Sequence, residues 1–119
     1  MSKHLALFTL GFVALLGACG GAAVPHERVT SATAAVRAAE VGGAANNPEA
    51  SLVLKRANDG LARAKALIAD GDNEAADFEL QRAEVDAELA LNLAREAYAK
   101  AEAQNAIDLV TAYKKQSGK

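Results

Sequence analysis

From about Glu27 to Val41 the apolar residues Val29, Ala32, Val36 and Ala39 recur at steps of three and four, and Gly42 and Gly43 follow. One apolar stripe with glycines behind it is the signature of a helix and its stop, so a first helix is predicted over 27–41. After a loop from Gly42 to Asn47, the order Asn47, Pro48, Glu49 supplies a capping side chain, a ring fixed at helical φ and an early acid. A second helix is predicted over 48–70. Its seam is Leu54, Ala57, Leu61, Ala64 and Ile68 at coiled-coil heptad spacing, widened by Val53 and Leu67. Gly60 lies within that helix at a cost of about 1 kcal/mol relative to Ala, which packing has to offset.

Asp70, Gly71 and Asp72 are the sharpest punctuation in the chain. Gly71 suits the left-handed residue that ends a helix, and Asp72 can cap the next one. From there a third helix is predicted over 73–114, free of Gly and Pro, which at 1.5 Å per residue is about 60 Å long. Ala76, Leu80, Ala83, Ala87, Ala90, Ala94, Ala97 and Ala101 form its seam. Such small residues let helices approach closely while burying little area each. Gln116 to Lys119 is expected to be a flexible tail.

Folding the second helix back on the third about Gly71 pairs positions whose numbers sum to about 142. Lys55, Arg56, Arg63 and Lys65 then face Asp77, Glu79, Glu84, Asp86 and Glu88, with Lys65 set near Asp77. Exposed pairs of this kind contribute about 0 to 1 kcal/mol each, so their part is to fix register. The first helix, reversed by its loop, lies beside this hairpin. The expected fold is all-α: an antiparallel hairpin with a long third helix, packed as a three-helix bundle whose distal end projects. On that end Tyr98, Ile107, Leu109, Val110 and Tyr113 are more apolar than a free helix requires, and they are candidates for a partner surface.

A different pattern occupies the beginning of the chain. Lys3 and His4 precede an apolar run from Leu5 to Leu16, interrupted only by Thr9 and Gly11. About 12 residues is too short to cross a bilayer and fits the core of a secretory signal. Leu16, Gly17, Ala18 and Cys19 follow, and this order resembles the bacterial lipobox. The resemblance implies that residues 1–18 are removed and that Cys19, the only cysteine, becomes a lipidated N-terminus. Two or three acyl chains hold a protein to a membrane stably where one does not. Gly20, where an Asp tends to retain such proteins in the inner membrane, resembles an outer-membrane destination facing the periplasm in a Gram-negative cell. Residues 19–26 read as a tether to a helical domain over 27–115.

Composition narrows the function classes. Of the 13 Lys and Arg, Lys3 lies in the leader, so from Cys19 onward 12 bases face 15 acids, interleaved along the same helices. That pattern offers no basic stripe for nucleic acid. Beyond the leader the chain has one histidine, His26, and Ser31, Ser51 and Ser117 as its serines, too little for nucleophilic catalysis. Neither an enzyme nor a cofactor is expected. Asp70, Asp72, Glu74 and Asp77 alternate like the start of a calcium loop, but the sixth position is Ala75 and the twelfth Gln81, where such a loop needs Gly and Glu. No metal site is expected.

The Ala-rich first helix ending at Glu40, the stretch from Leu61 to Ile68, Gly71 with Asp72, and Asp86 to Ala97 together resemble a family of alanine-rich helical domains of unknown function in bacterial envelope proteins, sometimes found ahead of OmpA-like domains. The resemblance covers about 70 residues and implies no catalytic residues. A looser one, to the major outer-membrane lipoprotein, rests on Cys19, the heptad helix and the C-terminal Lys119, which in that protein is joined to peptidoglycan. The Gly71 hairpin departs from its single rod. The expectation is a non-enzymatic, membrane-anchored scaffold or adaptor for an envelope protein. The alternatives are a tether from outer membrane to peptidoglycan through Lys119, and self-association through the alanine seam.

Overall fold

The computed structural model describes residues 21–118, and among them the only regular structure is helical. Three helices run up, down and up: α1 (His26–Val41), α2 (Pro48–Ala69) and α3 (Asn73–Ser117), with a single 3₁₀ turn (Ala44–Asn46) between the first two. The long α3 packs against both others. The leader, the Leu16 to Cys19 motif, Gly20 and Lys119 lie outside the described residues.

The helix boundaries follow from local chemistry. At α2 the Asn47 side chain accepts the Ala50 N–H at 2.9 Å, with Pro48 in the first turn. At its other end the Gly71 N–H donates to the Ile68 carbonyl and the Asp72 N–H to the Leu67 carbonyl, satisfying two carbonyls that the helix leaves open. That geometry requires the left-handed φ of 83° at Gly71. The Asp72 carboxylate then accepts the Ala75 N–H and starts α3. Asp70 is the residue that closes α2. Three boundaries differ from expectation: α1 begins at His26, α2 ends at Ala69, and α3 runs on to Ser117. Gln116 and Ser117 are therefore helical and not tail, because nothing before Gly118 interrupts the hydrogen-bond ladder.

Alanine dominates the core. Ala32, Val36 and Ala39 of α1 meet Ala50, Val53, Leu54, Ala57, Leu61 and Ala64 of α2 along the α3 seam. Among the described residues Leu80 is the one large side chain buried completely. Gly60 is buried too, and a Cβ there would stand 3.3 Å from Cβ of Ala83. Loss of that methyl lets α2 approach α3, which is how packing offsets the helix cost of glycine. The α3 seam is shorter than its alanine spacing implies: burial ends at Ala94, Ala97 is half-buried and Ala101 exposed. The reason is register. Because α2 begins at Pro48, its hairpin partners on α3 run out in the middle of the nineties.

That register is the expected one, since Arg56 meets Asp86 at 2.7 Å and Arg63 meets Glu79 at 3.1 Å. Lys65 does not take Asp77. The Asp77 carboxylate accepts instead from Arg28 of α1 at 3.1 Å and from Gln81 at 2.6 Å. Every buried side chain described lies between Ala32 and Ala94, so the described residues carry a core of their own.

Candidate functional site

Two ends of the bundle are chemically distinct. At the Gly71 end the chain comes in beside the turn: the Asn73 amide donates to the Ala22 carbonyl at 2.7 Å, and Arg28 spans to Asp77 and, at 3.9 Å, to Glu84. Val24, Pro25, His26, Arg28, Ser31 and Asp77 line a depression there. At the opposite end α1 stops at Gly42 against Leu91, α2 starts, and α3 continues alone. The described segment before α1 and the end of α3 are thus separated by nearly the whole of a 45-residue helix, about 67 Å.

The projecting part of α3 forms an arm in which every residue from Tyr98 to Gly118 is exposed. From Tyr98 to Ser117 the arm is about 30 Å long. All five residues expected at a partner surface fall on it, with Tyr98 67% and Tyr113 64% exposed and Ile107, Leu109 and Val110 between 52% and 59%. They do not form one narrow stripe. At about 100° per residue, Tyr98, Leu109 and Tyr113 share one side, with Val110 and Ile107 progressively further round. The arm therefore presents a broad apolar side.

Local bonds keep the arm helical where no other helix supports it. Tyr98 donates to Glu102 at 3.2 Å, and Gln104 donates to Asp108 at 2.8 Å. Lys100 pairs with Glu96 one turn earlier. The hydrogen bond from Lys100, reinforced by its charge, holds the Glu96 carboxyl below the usual carboxylate value, and the same bond raises Lys100. Both groups are open to solvent, so these shifts mark a local pair and not a reactive site.

Sequence reasoning missed the apolar residues on the outer side of α3 within the bundle. Phe78 and Val85 are 63% and 64% exposed and Leu89 is 45% exposed. Their spacing of seven and four was visible in the chain, but without the packing nothing told that face from the buried one. Arg28 was missed as well, because its partners depend on α1 running parallel to α3. Among the described residues there is no group of three His, Cys, Asp or Glu placed to hold a metal ion. No described helix is long and apolar enough to cross a membrane.

An alanine-seamed helical hairpin, flanked by a shorter helix and extended by a bare arm, is the class of domain that this geometry defines. The family described as "Domain of unknown function (DUF4398)" matches residues 27–106, and the chain belongs to it. The match takes in all three helices and the root of the arm, and ends just before Ile107. No curated protein and no solved structure matches the chain.

Proposed function

We propose that this protein is a lipid-anchored helical scaffold of the bacterial envelope, held through acylated Cys19 and binding a protein partner along the projecting arm. The observation that carries this reading is the arm itself: a helix exposed at every described position beyond Ala97 that nonetheless displays Ile107, Leu109, Val110 and Tyr113 to solvent. Large apolar side chains gathered on an exposed helix mark an interaction surface more often than a free one. The lipobox-like order from Leu16 to Cys19 supports the anchor, and the outer membrane facing the periplasm is the proposed site if the cell is Gram-negative.

Crosslinking in intact cells tests the arm. Changing Leu109, Val110 and Tyr113 together to Ser is expected to remove the crosslinked partner, and an unchanged product would overturn the assignment. Intact mass of the mature chain tests the anchor, which an unmodified Cys19 would remove. One structural fact favours a second reading, a tether between membrane and peptidoglycan: the chain comes in at one end of α3 and leaves at the other. Muramidase digestion followed by mass spectrometry should then find a cell-wall fragment on Lys119.

A further inference from the structure

The outer face of α3 carries a second heptad pattern that the bundle does not use. Phe78, Val85, Asn92, Ala99, Ala106 and Tyr113 recur every seven residues, with Arg82, Leu89, Glu96, Ala103 and Val110 interleaved at steps of four and three, and all of them are exposed. Each position stands two residues beyond a member of the buried seam or of its continuation along the arm, about 200° round the helix. The stripe therefore faces directly away from α1 and α2. Along the bundle it is large, with Phe78, Val85 and Leu89. Along the arm it is small through Ala99, Ala103 and Ala106, and enlarges only at Val110 and Tyr113.

We propose that this stripe binds a second copy of the chain, antiparallel, with Val85 of each copy against Val110 of the other. This rests on the reading of the arm as a protein-binding surface and names its partner. In that alignment the small residues of the arm receive the side chains beyond Val85: Leu89 lies on Ala106, and Asn92 on Ala103. Arg82 meets the ring of Tyr113, a cation over an aromatic face. The flanks agree in charge. Arg95, which has no ion pair among the described residues, comes beside Glu102, whose carboxylate otherwise takes only the Tyr98 hydroxyl, and the exchange occurs twice by symmetry. On the other flank Lys114 comes beside Glu79, a carboxylate already paired with Arg63 and Arg82 of its own chain. A parallel dimer instead opposes Arg82 to Arg82 and Arg95 to Lys100, so like charges select against it.

The paired length is about 60 Å. At a contact width of roughly 10 Å it covers about 600 Å² on each copy, at the lower edge of what stable dimers bury. Ile107 and Leu109 flank the contact and close it against water. The buried alanine seam is not available for this, being filled by α1 and α2.

Disulfide trapping decides the matter, since the chain from Gly21 onward contains no cysteine. Val85→Cys and Val110→Cys chains, mixed and mildly oxidised, are expected to give a crosslinked heterodimer, while neither crosslinks alone. Self-crosslinking of either variant would show a parallel pair and overturn the proposal, as would a monomer at high concentration in sedimentation equilibrium. Arg95→Glu is expected to weaken dimerisation about tenfold, and adding Glu102→Arg to restore it. If the chain is monomeric while the Ser substitutions on the arm still remove a different crosslinked protein, this inference fails and the arm reading stands.

Discussion

Gly60 of α2 is seated on Ala83 of α3, so closely that a methyl at position 60 would come within 3.3 Å of the Ala83 methyl and 3.7 Å of its Cα. Two effects oppose each other there. Alanine gains about 1 kcal/mol of helix propensity, but the contact is tight and one of its neighbours is backbone. Gly60→Ala is expected to be nearly neutral. Gly60→Leu has no such balance, because the side chain must push the helices apart, and a loss of at least about 1 to 3 kcal/mol is expected in urea unfolding. A stable Leu variant would mean that the two helices are not held at this separation.

Leu80 is the complementary case. Among the described residues it is the only large side chain with no exposure, in a core otherwise built of alanines and a few buried valines and leucines. Leu80→Ala is expected to cost about 2 to 5 kcal/mol, against a total of about 5 to 15 for a domain. Thermal unfolding followed by circular dichroism should show the midpoint lowered by at least about 8 °C. The exposed Leu89, similarly changed, should move the midpoint little in dilute solution.

The hairpin was legible in the chain because its determinants are local or pairwise. Asp70, Gly71 and Asp72 specify the reversal, and once it is placed the charges of Arg56, Arg63, Glu79 and Asp86 have one register to occupy. The length of the seam was not legible from its own alanines. Ala97 and Ala101 continue the spacing without interruption, and only the start of the opposite helix at Pro48 determines that they have nothing to pack on. Alanine has the same appearance in a seam and on a free helix face, so alanine spacing cannot mark where burial ends. The outer stripe escaped notice for the same reason, with Phe78 and Val85 as readily assigned to a core as to a surface.

The turn offers a test that separates backbone strain from lost contacts. Nothing lies within 4 Å of a Cβ built on Gly71, so Gly71→Ala pays only for the left-handed φ, about 1 to 2 kcal/mol. Asp72→Ala removes the bond to the Ala75 N–H and is expected to cost about 1 kcal/mol. Gly71→Asn should recover much of the alanine loss, since asparagine tolerates this region. If Ala and Asn are equally destabilising in urea unfolding, the turn does not adopt the left-handed conformation.

The Glu96 and Lys100 pair sets a pH window for the root of the arm. Glu96 titrates below an ordinary glutamate, so its contribution is present above the unfolded carboxylate value and is lost as pH falls through the lower folded one. Lys100 is raised, so its contribution is present below the unfolded lysine value and is lost as pH rises through the folded one. The pair is thus intact through the neutral range. Carboxyl carbon shifts followed by NMR should place the Glu96 midpoint below the ordinary glutamate value, and Lys100→Ala should bring it back towards that value.

The arm can be removed without touching the core, and this gives the cleanest separation of stability from interaction. Every buried residue described lies at or before Ala94, and the arm's own bonds, such as Tyr98 to Glu102 and Gln104 to Asp108, are made within the arm. A chain ending at Ala97 is expected to unfold within a few degrees of the longer one, since a loss of 1 kcal/mol corresponds to about 4 to 8 °C for a domain of this size. The same truncation removes Glu102, Ala106, Val110 and Tyr113, and with them the surface proposed for the second copy. Full folding with loss of dimerisation is the expected pair of results, read by calorimetry and sedimentation on the same sample. Unfolding of the truncated chain would mean that the arm returns to the bundle in solution, and its apolar residues would then belong to the core.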